Sequence, residues 1–300
     1  LVLYAPQAPE LAEAVIKEFN EKYPDVRVEW ITGGTGELMA RIRAEKDHPR
    51  GDVMWGGSTE MHGANADLFE AVILPDTAMF AAHDPKNKWH ALTTIPKPLG
   101  VNTTLLKPEE YPKTIEELSD PKWKAGRISF VNPRTSGTGY SILTAMVTRY
   151  GWDWVADFLR NCVVWAGSSE MFAALRDGEA ALGFFNEDIG ARWMAEGAPI
   201  VLLYPPDGVA TEIEAFAMIK GAPHPNAARA FMEFLQSKEI AELIRDTVWR
   251  RSMRKDVAPP ADLADLDAIT FVEVDAEWAS KQREENLNKF DEALAKAEAK

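Results

Sequence analysis

Cysteine is nearly absent from this chain: Cys162 stands alone, which excludes an intramolecular disulfide and any cysteine-rich metal site. It lies in the apolar run Cys162-Val163-Val164-Trp165 and reads as core packing. Histidine is scarce as well. His48, His62, His83, His90 and His224 form no i, i+4 pair and no close pattern with carboxylates, which argues against a catalytic zinc. Basic residues are outnumbered, with Lys and Arg totalling 33 against 47 Asp and Glu, and no basic run is long. The resulting net charge of −14 excludes a nucleic-acid partner and disfavours an anionic membrane surface. It does not exclude a small anionic ligand, because clustered backbone N–H groups hold anions inside globally negative proteins.

Long apolar runs are missing too; none reaches the roughly 18 to 20 residues of a membrane-spanning helix. The chain opens directly in an apolar strand, Leu1-Val2-Leu3-Tyr4, without an initiator Met. The expectation is a processed product whose signal peptide has been removed or lies outside this sequence. There is no nucleophile motif and no cofactor fingerprint: Gly33-Gly34-Thr35-Gly36 lacks the Lys of a P-loop. No catalytic residue, metal or cofactor is assigned.

What is present is a 300-residue chain, too long for one comfortable core, so two lobes or one large α/β domain are expected. Pro9 opens a helical pattern (Leu11, Val15, Ile16, Phe19) that ends before Tyr23-Pro24, and Val26 to Trp30 alternates as a strand. Strand, helix, strand makes a parallel crossover. A helix follows from Glu37 to about Lys46, then a strand at Asp52 to Trp55. Leu92 to Val101 is extended and proline-punctuated, which places a first crossing between lobes there. Beyond it the residues predict a helix from about Thr114 with Pro121 to Lys124 as its exit and a strand at 127–131. Helices are predicted at 140–150, 152–160 and 168–176, with a strand at 181–185. Glu214 to Ile219 returns to the first lobe, Pro225 to Gln236 is an amphipathic helix, and Asp275 to Lys300 is a solvent-facing helix anchored by Trp278, Leu287 and Phe290. No internal repeat is visible.

Several turns at strand ends are rich in glycine and hydroxyls. Thr135-Ser136-Gly137-Thr138-Gly139 lies between a strand and a helix, where N–H groups are unpaired and the helix dipole is positive. That construction is an anion cradle, although an ordinary capping loop needs the same residues. Gly33-Gly34-Thr35-Gly36 and Gly56-Gly57-Ser58-Thr59 are built alike, and Gln7 occupies the turn after the first strand. In open α/β sheets this edge is where ligands bind. Asn186-Glu187-Asp188 adds carboxylates after the strand at 181–185, either as ligand acceptors or as a favourable helix start; Glu212 and Glu214 add two more on one strand face. Arg134 stands beside the cradle, and Trp55, Trp89, Trp165 and Trp193 are available for stacking or for core packing.

Six stretches, in order, resemble the solute-binding proteins of the ferric-ion, phosphonate and sugar-phosphate import family. They are Thr32 to Leu38, Gly51 to Gly57, Gly100 to Thr103, Leu118 to Lys124, Asn132-Pro133 with Ser136 to Gly139, and Ala181 to Asn186. The resemblance implies a type II periplasmic-binding fold, two α/β lobes joined by a hinge that close on a ligand in the cleft between them. Lobe I would comprise 1–97 and 217–270, and lobe II 98–216 and 271–300. It implies a monomeric, extracytoplasmic component of an ABC importer with permease transmembrane subunits as partners, and not an enzyme. In ferric-ion members two adjacent tyrosines follow the strand equivalent to 181–185. Here the positions are Asp188 and Ile189, which moves the expected solute from iron toward a sugar phosphate or aminoalkylphosphonate. The expected ligand residues are Gln7, Gly34, Thr35, Gly36, Ser58, Thr59, Thr135, Ser136, Gly137, Thr138, Glu187, Asp188 and Glu212. The alternatives are a ferric-ion or other solute binder, an enzyme using Glu187 and Asp188 on this scaffold, and a sensor subunit with the same lobes.

Overall fold

The apolar periodicities fold into short strands and amphipathic helices, described for residues 1–124, 127–261 and 263–299 in the computed structural model. In chain order they are β1 (Val2–Tyr4), α1 (Pro9–Lys22), β2 (Glu29–Ile31), α2 (Thr35–Ala44), β3 (Val53–Ser58), α3 (Thr59–Ala64), β4 (His90–Lys97), β5 (Leu99–Asn102) and β6 (Ile128–Val131). Then come α4 (Gly137–Leu159), β7 (Cys162–Trp165), α5 (Ser168–Arg176), β8 (Leu182–Phe184), α6 (Glu187–Ala195), β9 (Ile200–Leu203) and β10 (Ala210–Met218). The chain ends with α7 (Pro225–Leu235), α8 (Lys238–Val248), β11 (Arg251–Ser252), α9 (Ala276–Lys281) and α10 (Arg283–Glu298).

Two compact units result, Leu1–Thr94 with Ile213–Asp262, and Ile95–Glu212 with Leu263–Lys300. The first holds a six-stranded sheet in the order β11-β4-β10-β3-β1-β2. β1 pairs in parallel with both β2 and β3, and β10 runs antiparallel to β3. One face carries Leu11, Val15 and Phe19 of α1 with Phe231, Phe234 and Ile240 of α7 and α8. Phe19 meets Phe231 and Phe234 edge-on, so three large rings anchor α1 and α7 to the same face. The other face is covered by Leu38, Met39 and Ile42 of α2.

The second unit holds a five-stranded sheet, order β7-β6-β8-β5-β9, with β6 parallel to β7 and β8 and with β5 antiparallel to β8 and β9. Its strand order repeats that of the first: a central strand flanked by the next two parallel strands, then an antiparallel one. That repeat is invisible in the residues and plain in the topology. Leu143 and Met146 of α4 and Phe290 of α10 bury one face, and Met171, Phe172 and Leu175 of α5 the other.

The single-helix expectation for 275–300 becomes two helices, α9 and α10, parted at Gln282; Leu287 and Phe290 are buried, Trp278 is half-buried, and Lys300 lies outside the described residues. The expected helices at 140–150 and 152–160 are the two arms of α4, parted at Gly151 (φ 83°, ψ 175°). The helix expected from Thr114 is instead two 3-10 turns, Glu116–Ser119 and Pro121–Trp123. Asp120 precedes a proline, is pushed into the extended region (φ −61°, ψ 130°) and stops helix propagation.

Candidate functional site: two strand-end clusters

A strand order in which the first strand lies between the second and third creates a switch point, because the two crossover connections leave in opposite directions. In the second unit that point lies between β6 and β8, with β7 on the far side of β6. Each of the three strands feeds a helix: α4 after β6, α5 after β7, α6 after β8. Their first turns are joined by side chains. Ser136, the N-cap of α4, accepts a hydrogen bond from Gly139 N (3.1 Å) and shares one with the Ser168 hydroxyl at the start of α5 (2.6 Å). Thr138 Oγ1 donates to Asn186 Oδ1 at the N-cap of α6 (3.1 Å). The start of α4 is therefore held in the middle of three converging helix N-termini, each with backbone donors directed along its axis.

Charge separates the three. α5 begins with Glu170, whose carboxylate takes the Gly167 N–H (2.9 Å), and α6 begins with Glu187 and Asp188. α4 has no acidic residue in its first turn. Beside it lies a cation that the sequence reading missed. Lys97 is fully buried, its Nζ donating to the same Asn186 Oδ1 (2.8 Å) and lying 3.4 Å from Glu212 Oε2. Asn186 thus leaves its own helix uncapped and bridges an ammonium to the first turn of α4.

The expected contacts of this unit fall into two groups. Ser136, Gly137 and Thr138 form the turn itself; Gly137 is exposed and a Cβ there would meet nothing within 4 Å. Gly139 is different, since its missing Cβ would stand 2.8 Å from Val131 O, and its absence lets α4 approach β6. Thr135 Oγ1 is spent on Ala166 O (2.6 Å), in the turn after β7, and on Asn132 O (3.1 Å) within its own loop. Glu187 is buried and its Oε1 accepts the Tyr204 hydroxyl, while Asp188, 8% exposed, accepts Ile189 N (2.9 Å). Arg134 turns away to α10, where it meets Asp291 (2.7 Å) and Asn288 (3.0 Å).

The first unit has its own cluster at the matching edge. A Cβ on Gly56 (φ 113°) would lie 2.8 Å from Gln7 Nε2, and one on Gly57 (φ 84°) would collide with Thr35 Cγ2. Those two glycines bring the turns after β1, β2 and β3 into contact. Ser58 caps α3 by accepting from Met61 N (3.3 Å), with Thr59 as the next residue. Gly34 is the N-cap of α2, followed by Thr35 and Gly36. At Gly33 the carboxylate of Glu37 lies back over the turn, 3.1 Å from a notional Cβ, so this helix start already has an anion.

Gln7 is 5% exposed and donates through Nε2 to Glu214 Oε1 (2.6 Å). Glu214 stands opposite Ser58 in the register and also receives Thr93 Oγ1 (2.9 Å) and Arg250 Nη1 (3.3 Å) on Oε2. Of the two glutamates on β10, then, Glu214 joins the first unit's cluster and Glu212 joins Lys97 in the second. Trp55 is core, packed edge-on against Phe231, while Trp165 and Trp193 are half-buried.

Two α/β units with these strand orders, each carrying polar turns at the carboxyl ends of its central strands, define a type II periplasmic-binding fold. The chain belongs to the bacterial extracellular solute-binding protein family, whose model matches residues 1–250. It is a solute-binding protein of the ABC-importer type, and among the described residues no helix is long and apolar enough to cross a membrane. The periplasmic binding protein AfuA of Actinobacillus pleuropneumoniae, solved with fructose-6-phosphate, superposes with a TM-score of 0.83 at 26% identity over 98% of each chain. Iron uptake protein A1 of Synechocystis is 27% identical over 71% of this chain and 64% of its own length. A 2-aminoethylphosphonate-binding periplasmic protein of Salmonella typhimurium, named as putative, is 24% identical over 79% of this chain and 73% of its own.

Proposed function

We propose that this protein captures a small anionic organophosphorus solute, a sugar phosphate or a phosphonate, outside the cytoplasm and delivers it as a monomer to the transmembrane subunits of an ABC permease. The observation that carries this reading is the start of α4: a helix N-terminus with no acidic residue in its own first turn, an open glycine at its first position, and the buried Lys97 two hydrogen bonds away through Asn186. Phosphorus oxygens suit such a site because they accept several hydrogen bonds at once and carry the charge that the dipole and the ammonium favour. Asp188 adds an acceptor beside α4.

The position two residues after Asn186 is Asp188 and not the start of a tyrosine pair, which supports an oxygen-rich anion over ferric ion. Calorimetry and thermal shift with sugar phosphates, phosphonates, inorganic phosphate, ferric salts and neutral sugars test the reading. Stabilisation by the phosphorus compounds is expected; a response confined to neutral sugars or to iron overturns it. Phosphorus NMR of the protein incubated with its best ligand should show the ligand unchanged, since turnover would make the protein an enzyme.

A further inference from the structure

Arg134 stands two residues before Ser136, the N-cap of α4, yet its guanidinium is committed to the end of the chain. Nε and Nη2 both donate to Asp291 Oδ2 of α10 (3.2 and 2.7 Å), Nη2 also to Asn288 Oδ1 (3.0 Å), and Nη1 to Glu284 Oε2 (3.4 Å). Residues 284, 288 and 291 stand at i, i+4 and i+7, one face of α10. The adjoining face is sunk in the core of the same unit through Leu287 and Phe290, both buried. Arg134 therefore grips a helix that is itself fixed.

The pair α9 and α10 meets the connection from β6 to α4 at three successive points. On the strand, Phe290 packs against Phe130 with ring centroids 6.2 Å apart. In the loop, Arg134 makes the contacts above. At the start of the helix, the Tyr140 hydroxyl donates to Ala279 O of α9 and accepts from Asn286 Nδ2 of α10 (3.4 Å), while the Arg283 guanidinium lies 4.1 Å over the Tyr140 ring. Strand, loop and helix are thus fastened to one pair of helices. The loop needs the fastening most. Within it Arg134 N, Thr135 N and Ser136 N all return to the single residue Asn132 (2.9, 3.2 and 3.1 Å), and Gly137 beyond them has no side chain to pack.

We infer that Arg134 is a positioning residue for anion capture: by gripping α10 it holds the loop at 132–136, and with it the donors at the start of α4, in the arrangement that receives the anion. This rests on the organophosphorus reading above and deepens it. A turn already set before the ligand arrives loses less conformational freedom on binding, so affinity is higher. The rival role for Arg134, direct contact with the anion, makes the opposite demand of Asp291. As the partner in a brace, Asp291 strengthens capture. As a competitor for the guanidinium, or as a negative charge nearby, it weakens capture. The sign of one substitution separates the two.

Titration calorimetry with glucose 6-phosphate and with 2-aminoethylphosphonate tests the assignment on the wild type, D291N, R134K, R134D and the exchanged pair R134D/D291R. Amide hydrogen exchange over residues 132–140 of each ligand-free protein accompanies it. D291N should bind the phosphorus compounds about three- to ten-fold more weakly than the wild type and exchange faster across this segment. R134K, which keeps the charge without the fork, should lie between the two. R134D should bind more weakly still, and the exchanged pair should recover to within about three-fold of the wild type, because the tie is remade with its charges reversed. A D291N protein that binds as tightly as the wild type or tighter overturns the assignment and leaves the organophosphorus reading standing, as does an exchanged pair no better than R134D. D291N alters one exposed side chain and decides the matter alone if the Arg134 variants do not fold. If the wild type binds neither compound, the organophosphorus reading itself has failed and the assignment falls with it.

Discussion

Thr138 Oγ1 lies 3.1 Å from Asn186 Oδ1, and through that one amide oxygen the first turn of α4 is tied both to the start of α6 and to the buried ammonium of Lys97. The link crosses the switch point of the second sheet, where the connections after β6 and β8 part. It converts three separate features, a hydroxyl, a helix end and a cation, into one positively polarised corner. On the proposed function, an anion seated there would draw on the cation as well as on the helix end.

Lys97→Met is therefore expected to weaken binding of a phosphate-bearing ligand by about 1.5 to 3 kcal/mol, the range for hydrogen bonds and contacts to charged groups. It also leaves Glu212 and Asn186 without this partner, so the melting temperature of the ligand-free protein should fall as well. Calorimetry with glucose 6-phosphate and a thermal melt check both effects. Unchanged affinity in a folded variant would detach Lys97 from the anion site.

The capping and ligand roles of the α4 turn separate at Ser136 and Thr138. Ser136 accepts from Gly139 N, so Ser136→Ala should cost about 0.5 to 2 kcal/mol of stability with no ligand present. Thr138 Oγ1 bonds sideways to Asn186 and caps no helix N–H, and Thr138→Val should leave stability within about 1.5 kcal/mol of wild type. Together the two changes should weaken anion binding by about 1 to 3 kcal/mol. Urea unfolding and calorimetry on the single and double variants separate these contributions.

The first crossover of the fold and the loop at 135–139 were legible because they rest on local chemistry: helical spacing after Pro9, alternation before Ile31, and glycine with hydroxyls where a helix begins. Lys97 was not legible. It reads as one polar residue between Pro96 and Pro98, and its role comes from Asn186 and Glu212, which lie 89 and 115 residues further along the chain. Arg250 was hidden in the same way, 243 residues from Gln7, and Ser168 was read as a helix start without its partner Ser136. Glu212 and Glu214 could be placed on one strand face by alternation, but the chain's passage from one unit to the other after Glu212 assigns them to different clusters.

Two histidines give the protein an acid-sensitive fold. His62 and His90 are buried, and burial lowers both to about 4 from an ordinary value of 6.5. Between those pH values the unfolded chain binds protons that the folded chain does not, so stability is greatest above pH 6.5 and falls as pH drops toward 4. Each contributes on the order of 3 kcal/mol across that window. His62→Gln should therefore flatten the loss of stability between pH 7 and pH 5, as read from urea midpoints. A slope identical to wild type would contradict the assignment.

A carboxylate added at the start of α4 should act in opposite directions on stability and on binding. Gly137 is exposed, stands at the first helical position and has open space around its missing Cβ, so Gly137→Glu can be accommodated without displacing β6. A negative side chain there complements the helix dipole and should leave stability unchanged or raise it by about 0.3 to 1 kcal/mol. The same charge competes with a bound phosphate for the donors and for Lys97, and affinity for glucose 6-phosphate should fall by more than about ten-fold. A global folding defect would lower both quantities together, and a solute held elsewhere would leave affinity untouched. Only an anion seated on this helix start separates them, and a melt with a parallel titration reads both in the same sample.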